Sequence, residues 1–326
     1  MLPFITRRML GALVTLVIIS AVTFFLFFAV PGDPARLACG KVCPPELLEQ
    51  ARRNLGLDQP LFAQFVAWLS GIFVGREYQG LGNCPAPCLG YSFVNRAPVL
   101  ETILDRLPLT ISLTVGAAVV FFTFGVATGI IAALQQGRPL DKIASVSSLV
   151  GASVQIYFVG TLALYFLVYQ NHVFPQPKYM PFVENPLAWA TGLLLPWLVL
   201  ALIFTANYTR MTRSTMVEQL SEDYVRTARA KGMSGRSVVM RFALRGTMTP
   251  IITILGVDLG ALIGGAIITE QTFGLQGLGQ LSIRAVTYSD LPMLMATVLV
   301  AAGAIVVFNI VVDVLYAFID PRVRLG

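Results

Sequence analysis

The run MLGALVTLVIISAVTFFLFFAV, residues 9–30, decides the fold class, because its 22 residues contain no charge. Wound as an α-helix at about 1.5 Å per residue, it is as long as the hydrocarbon core of a bilayer is thick. It lacks the two-residue alternation of a barrel strand, so a helix is the expected form. Arg7 and Arg8 precede it as in a signal peptide. Its apolar run is longer than such a peptide needs, which favours an uncleaved first span. A lipoprotein cleavage site before Cys39 fails too, because Arg36 stands where such motifs carry Leu.

Working outward from charge to charge locates the remaining spans, since a charge at mid-bilayer costs a few kcal/mol. Residues 107–134, 143–173, 187–209 and 291–312 are uncharged, and 247–269 holds one acid, Asp258. The expectation is an all-α polytopic membrane protein with six transmembrane helices. The composition agrees: 56% of residues are apolar and 12% charged, about half the charged share of a soluble domain. A net charge of +6, thinly scattered, does not suggest nucleic acid as a partner.

Charge placement sets the orientation. With both termini cytoplasmic, the inner segments hold 14 of the 23 basic residues, while the short outer loops carry only Lys178 and Arg284. The long segment 31–106 has seven basic and seven acidic residues, and long translocated segments count little in this rule. Three domains are therefore expected: 1–30 (cytoplasmic N-terminus and first span), 31–106 (a small extracytoplasmic domain) and 107–326 (the remaining five spans, with the cytoplasmic loop 210–246). Within the outer domain, residues 46–55 and 59–72 read as helices.

All four cysteines, Cys39, Cys43, Cys84 and Cys88, fall in the outer segment, which favours disulfides. Three connectivities are open; the two local rings need the shortest turns. The rival, a four-thiolate metal site, suits neither an oxidising compartment nor the prolines between Cys84 and Cys88. No metal is expected.

The search for catalysis is negative. There is no phosphate-binding loop of the GxxxxGK[ST] type, and the single histidine, His172, stands at an outer helix end. Gly274, Gly277 and Gly279 read as a tight turn followed by no helix of a nucleotide-binding unit. Gly256, Gly260 and Gly264 form a small-residue stripe for close helix packing, as do Gly125 and Gly129. At 100° per residue Asp258, Gly265 and Thr269 share roughly the opposite face. They are candidates for a translocation pathway, with a structural hydrogen-bonded role for Asp258 equally open.

Residues 210–246 are the most polar stretch, with eight basic residues and three acids. Ser221 is placed to cap a helix that opens with Glu222 and Asp223 and closes with Arg229, Lys231 and a left-handed Gly232. Ser234 then starts a second helix running to about Arg245. A short capped helix held under the membrane is suited to docking; a merely solvated basic loop is the plainer alternative.

The run Asp223-Tyr-Val-Arg-Thr-Ala-Arg-Ala-Lys-Gly232 resembles the cytoplasmic signature loop of permease subunits of binding-protein-dependent ABC importers, in its dipeptide and oligopeptide branch. Ala228, Gly232 and Leu244 keep the motif; Arg226, Thr227, Phe242 and Arg245 depart from it in ways typical of that branch. Pro31-Gly-Asp-Pro34, Leu55-Gly-Leu-Asp-Gln-Pro-Leu61, Gly277-Leu-Gly279 and Asp320-Pro-Arg-Val-Arg324 corroborate the resemblance along nearly the whole chain.

The resemblance implies the type I ABC importer permease fold and a subunit forming half of a pore in the bacterial inner membrane. It implies a homologous second permease, two ATP-binding subunits that use ATP and Mg, and an extracytoplasmic binding protein for which the outer domain is the platform. The chain itself would bind no cofactor and catalyse nothing. Tyr224, Arg226, Ala228, Arg229 and Gly232 would contact the ATPase. Peptides are the implied cargo; a nickel or other metal chelate is the alternative within the branch. A channel is disfavoured, since no filter-like loop recurs.

Overall fold

The computed structural model describes residues 2–29, 35–36, 44–55, 57–78, 82–92 and 94–319. The chain divides into two compact units. One comprises Met1–Thr110, Ile263–Gln271 and Gln276–Val306; the other comprises Ile111–Leu262, Thr272–Leu275 and Val307–Gly326.

In chain order the helices are α1 (Leu2–Ala29), α2 (Pro45–Leu55), α3 (Leu61–Val74), α4 (Val99–Leu134), α5 (Pro139–Ser153), α6 (Ile156–Ala163, continued by a wide π-turn over Leu164–Gln170), α7 (Pro186–Ser221) and α8 (Asp223–Ala230). After these come α9 (Gly235–Val238, with a π-turn over Val239–Ala243), α10 (Leu244–Ile263), α11 (Ile267–Phe273), α12 (Leu278–Thr287) and α13 (Leu291–Ile319). Among the described residues, five stretches are long and apolar enough to cross a membrane, within α1, α4, α7, α9–α10 and α13. The pair α5 and α6 makes a sixth only as a broken span, bent by 94°.

That bend corrects the expectation of a straight helix over 143–173. Val154 and Gln155 are both extended, with ψ of 135°, and Ser153 returns its hydroxyl to the Leu149 carbonyl. A serine bonded back to its own helix, next to a glutamine in an otherwise apolar run, is where such a ladder gives way. A second correction concerns 247–269. The helix stops at Ile263 and resumes at Ile267, because Gly265 takes φ +139°, open only to glycine.

In the first unit, Val99, Ile103, Leu278, Leu281, Ala285, Met293 and Ala296 form one apolar core. Phe24 of α1, Phe65 and Trp68 of α3, and Met295 form another. Two small hairpins follow α3: β1 (Arg76–Tyr78) pairs antiparallel with β2 (Gly82–Cys84), and β3 (Tyr91–Ser92) with β4 (Ala97–Pro98). Cys84 and Cys88 are joined by a disulfide and buried with Tyr78 and Tyr91, giving this small sheet a core it is otherwise too short to build. That bond takes two thiols out of any four-thiolate metal site. Cys39, Cys43, Pro31–Pro34 and the terminal run 320–324 lie outside the described residues.

In the second unit α7 is the axis. Its 36 residues reach about 54 Å, well beyond the hydrocarbon core, so one end projects into water. A Cβ on Gly125 or Gly129 would overlap Tyr208 or Thr212, so α4 lies against α7 with almost no side-chain spacer. A Thr128–Thr209 hydroxyl pair at 2.6 Å seals the same seam.

Candidate functional site

The polar loop folds as a seat and a handle. Val225 and Ala228 of α8 are buried in a cluster with Ala133 at the end of α4, Met216 of α7, Val238 of α9 and Ala243. The spacing of three puts these two on one side of a short helix. Tyr224, Arg226, Arg229, Lys231 and Gly232 are all exposed. Gly232 has φ +76°, and a Cβ there would touch nothing, so only backbone conformation calls for glycine. Ala228, expected at a partner contact, faces inward instead and is part of the seat.

Two readings of this loop need correction. Ser221 does not cap α8; it is the last residue of α7 and bonds the Glu218 carbonyl, leaving Glu222 as the single extended residue between the helices. Ser234 does cap α9, accepting from the Ser237 amide at 3.4 Å, but the helix does not end near Arg245. It passes through the π-turn directly into α10, so the handle is continuous with a span. Burial and the nearby Glu222 carboxylate raise the Tyr224 phenol pKa, and its hydroxyl bonds the Gln219 side chain.

An ion pair missed in the sequence stands nearby. Asp141, buried at the start of α5, takes two bonds from the Arg213 guanidinium of α7, one of them at 2.8 Å. It also accepts the Gly137 amide at 2.9 Å, so the turn after α4 is pinned to α7. These residues lie 72 positions apart in the chain, and neither stands out in its local sequence.

The intramembrane acid Asp258 accepts a hydrogen bond from the Tyr208 hydroxyl at 2.8 Å. Tyr208 itself lies against Phe121 and Phe122. Gly256 is buried where a Cβ would overlap Val312 of α13, and Gly260 is buried too; Gly264 falls beyond the helix end. Gly265 and Thr269 lie beyond the break after Ile263, where the helical phase that grouped them with Asp258 is interrupted, and they belong to the other compact unit.

In that other unit the residue that matters is Glu270, fully buried on α11 and not identified in the sequence. Its carboxylate accepts the Thr110 hydroxyl at 2.7 Å and the Gln280 amide at 2.9 Å, and also bonds the Gly279 amide. Thr110 in turn accepts the Leu278 amide at 2.9 Å. The first amides of α12 are thus capped from outside the helix, since Gly277 at its start has no side chain to do so. A Cβ at Gly277 would overlap both Glu270 and Thr110, and one at Gly279 would overlap Ile267. The turn expected at Gly274–Gly279 leads into α12, which follows a helix and belongs to no strand–helix unit. The available signal was an acid at the edge of a span, seven residues before a Gly-Leu-Gly.

The wall of α12 beyond this cap lines a cavity of about 520 Å³, with Arg106, Gln271, Gln280, Arg284, Tyr288 and Asp290 among its residues. Arg106 bonds the carbonyl and side chain of Gln276. Asp290 is withdrawn into the wall, bonded to the Ser92 hydroxyl and capping the Met293 amide, and burial raises its pKa. Among the described residues no cluster of His, Cys, Asp and Glu could hold a metal ion.

Residues 1–114 match the family described as the N-terminal part of binding-protein-dependent transport system membrane components, and residues 125–325 match the binding-protein-dependent transport system inner membrane component. A putative peptide transport system permease protein of Brucella abortus (strain 2308) is 37% identical over 324 residues, covering 99% of each chain. A glutathione transport system permease protein of Escherichia coli (strain K12) is 37% identical over 325 residues, again 99% of each. Among solved structures, a chain of the inward-facing MetNI methionine ABC transporter aligns with a TM-score of 0.51 at 15% identity, over 68% of this chain and 97% of that one, a likeness of fold.

Proposed function

The chain belongs to the family of binding-protein-dependent transport system inner membrane components, and from that premise we propose that it is one permease subunit of an ATP-driven peptide importer. The names of its relatives, peptide and glutathione permeases, favour peptides over metal chelates as cargo. In this reading a homologous permease completes the pore and an extracytoplasmic protein delivers the peptide. Two cytoplasmic ATPases drive the cycle with ATP and Mg, both termini face the cytoplasm, and the chain itself hydrolyses nothing.

The observation that carries the coupling role is the division of α8 into an inward pair, Val225 and Ala228, and an exposed set, Tyr224, Arg226 and Arg229. Such a helix can be gripped on its polar side while its apolar side stays locked to its own chain. Closure of the ATPases would then move α8 as a rigid piece and switch access to the pore. In the first unit, the guanidinium groups of Arg106 and Arg284 at the cavity suit a carboxylate-bearing cargo. In the second, Asp258 remains a candidate for the pathway.

Uptake of labelled di- and tripeptides into proteoliposomes holding the complete complex and its binding protein is the test. ATP-dependent accumulation of peptide is the expected result; ATP hydrolysis with no peptide accumulated would overturn the cargo class.

A further inference from the structure

Helix α3 has its polarity reversed for a helix in water. None of its 14 residues is charged, and at about 21 Å it is too short to cross a hydrocarbon core of about 30 Å. Its inward side meets α1, with the Phe65 and Trp68 rings 5.4 and 5.9 Å from that of Phe24. That side also buries the one amide side chain of the helix, Gln64, which donates to the Gln59 carbonyl at 2.7 Å. The outward side is bare and apolar except for Ser70, whose hydroxyl is returned to the Ala67 carbonyl: Phe62 is 70% exposed, Phe73 76% and Val74 83%, with Val66 between them. Phe62, Val66 and Phe73 recur at helical spacing, so they form one stripe and not scattered exceptions.

What covers this stripe follows from where α3 is attached. Phe24 lies near the end of the apolar span Thr6–Leu26. Along that span Leu10, Leu13, Ile18, Val22 and Leu26 are all more than half exposed, the face of a helix solvated by lipid. The bare side of α3 continues the same kind of surface at the end of the span. Exposed charges flank α3 at both ends, Asp58 before it and Glu77 after it, which keeps both ends near water and the axis along the membrane boundary.

We infer that α3 is an interfacial helix whose Phe62, Val66, Phe73 and Val74 contact the lipid bilayer, anchoring the segment after α1 to the membrane surface. The leaflet is the outer one if the orientation proposed above holds; lipid contact itself does not depend on that orientation or on the cargo.

The test places a tryptophan at Phe73 or at Phe62 in the complete complex, reconstituted in nanodiscs of ordinary or dibrominated phosphatidylcholine. The wild-type emission of Trp68, Trp189 and Trp197 is subtracted. Both sites are exposed and aromatic, so the substitutions leave the packing intact. The added emission of Phe73→Trp and Phe62→Trp should fall at least twofold in brominated lipid and respond weakly to aqueous acrylamide. Val94→Trp, in an exposed loop, should show the reverse. Strong acrylamide quenching without a bromine effect would put α3 in water, and shielding from both quenchers would put a protein there, the second permease included; either result overturns the proposal.

Discussion

Glu270 and Thr110, 160 residues apart, share a buried hydrogen bond of 2.7 Å, and through it one carboxylate fixes the start of α12. Glu270→Ala would strand the Thr110 hydroxyl and the Gly279 and Gln280 amides away from water. The expected cost is about 3 kcal/mol or more. Glu270→Gln keeps an acceptor oxygen and should cost about half as much. Thermal unfolding of the purified complex in detergent reads both; equal, small shifts would contradict the capping role.

Gly232→Val should leave folding and membrane insertion near normal while ATP-dependent uptake falls sharply. A β-branched residue at φ +76° costs about 1–2 kcal/mol and reshapes the end of α8. Gly232→Asn, tolerated in that conformation, should keep most activity. Wild-type uptake and ATPase coupling in the valine variant would remove α8 as the handle.

For Asp258, two substitutions separate charge from bonding. Asp258→Asn can still accept from Tyr208, whereas Tyr208→Phe keeps the charge and deletes the donor. If Asp258 serves the pathway, Asp258→Asn changes peptide-stimulated ATPase activity severalfold with a stability change below about 1 kcal/mol. An unchanged ATPase profile in Asp258→Asn, together with destabilisation in Tyr208→Phe, would make the pair purely structural.

Arg213→Ala should destabilise by about 1–3 kcal/mol, since it leaves the Asp141 carboxylate with the Gly137 amide but no counter-charge. Replacing both partners, Arg213→Met with Asp141→Leu, should recover most of that loss. A double variant no better than the single one would show that the ion pair itself, and not the avoidance of a lone charge, holds α5 to α7.

The spans and the short helix α8 were legible because their signals are local. A run of 22 uncharged residues needs no partner to be read, and the Gly232 stop sits within one turn of the helix it ends. Breaks in the spans were not read, because charge was the criterion and uncharged composition continues across Ser153–Gln155 and across Gly264–Ala266. Extending the 100° phase past Gly265 therefore carried one helical face across a break where that phase does not hold. Glu270 and Asp141 escaped notice for another reason: each is defined by a partner 72 to 160 positions away, and in the linear sequence each resembles an ordinary charge at the edge of a span. The lipid-facing side of α3 was not looked for because residues 31–106 were read as one charge-balanced segment, although all fourteen of those charges fall outside α3.

The seat of α8 has a mechanical corollary. Val225 and Ala228 rest simultaneously on the end of α4, on α7 and on the residues leading into α10. Small side chains at the contact leave little slack, so a load applied to α8 is shared at once among three rods, none of which can lag behind the others. In the coupling proposed for α8, enlarging the contact would loosen that linkage like play in a joint, wasting part of each stroke before the rods begin to move.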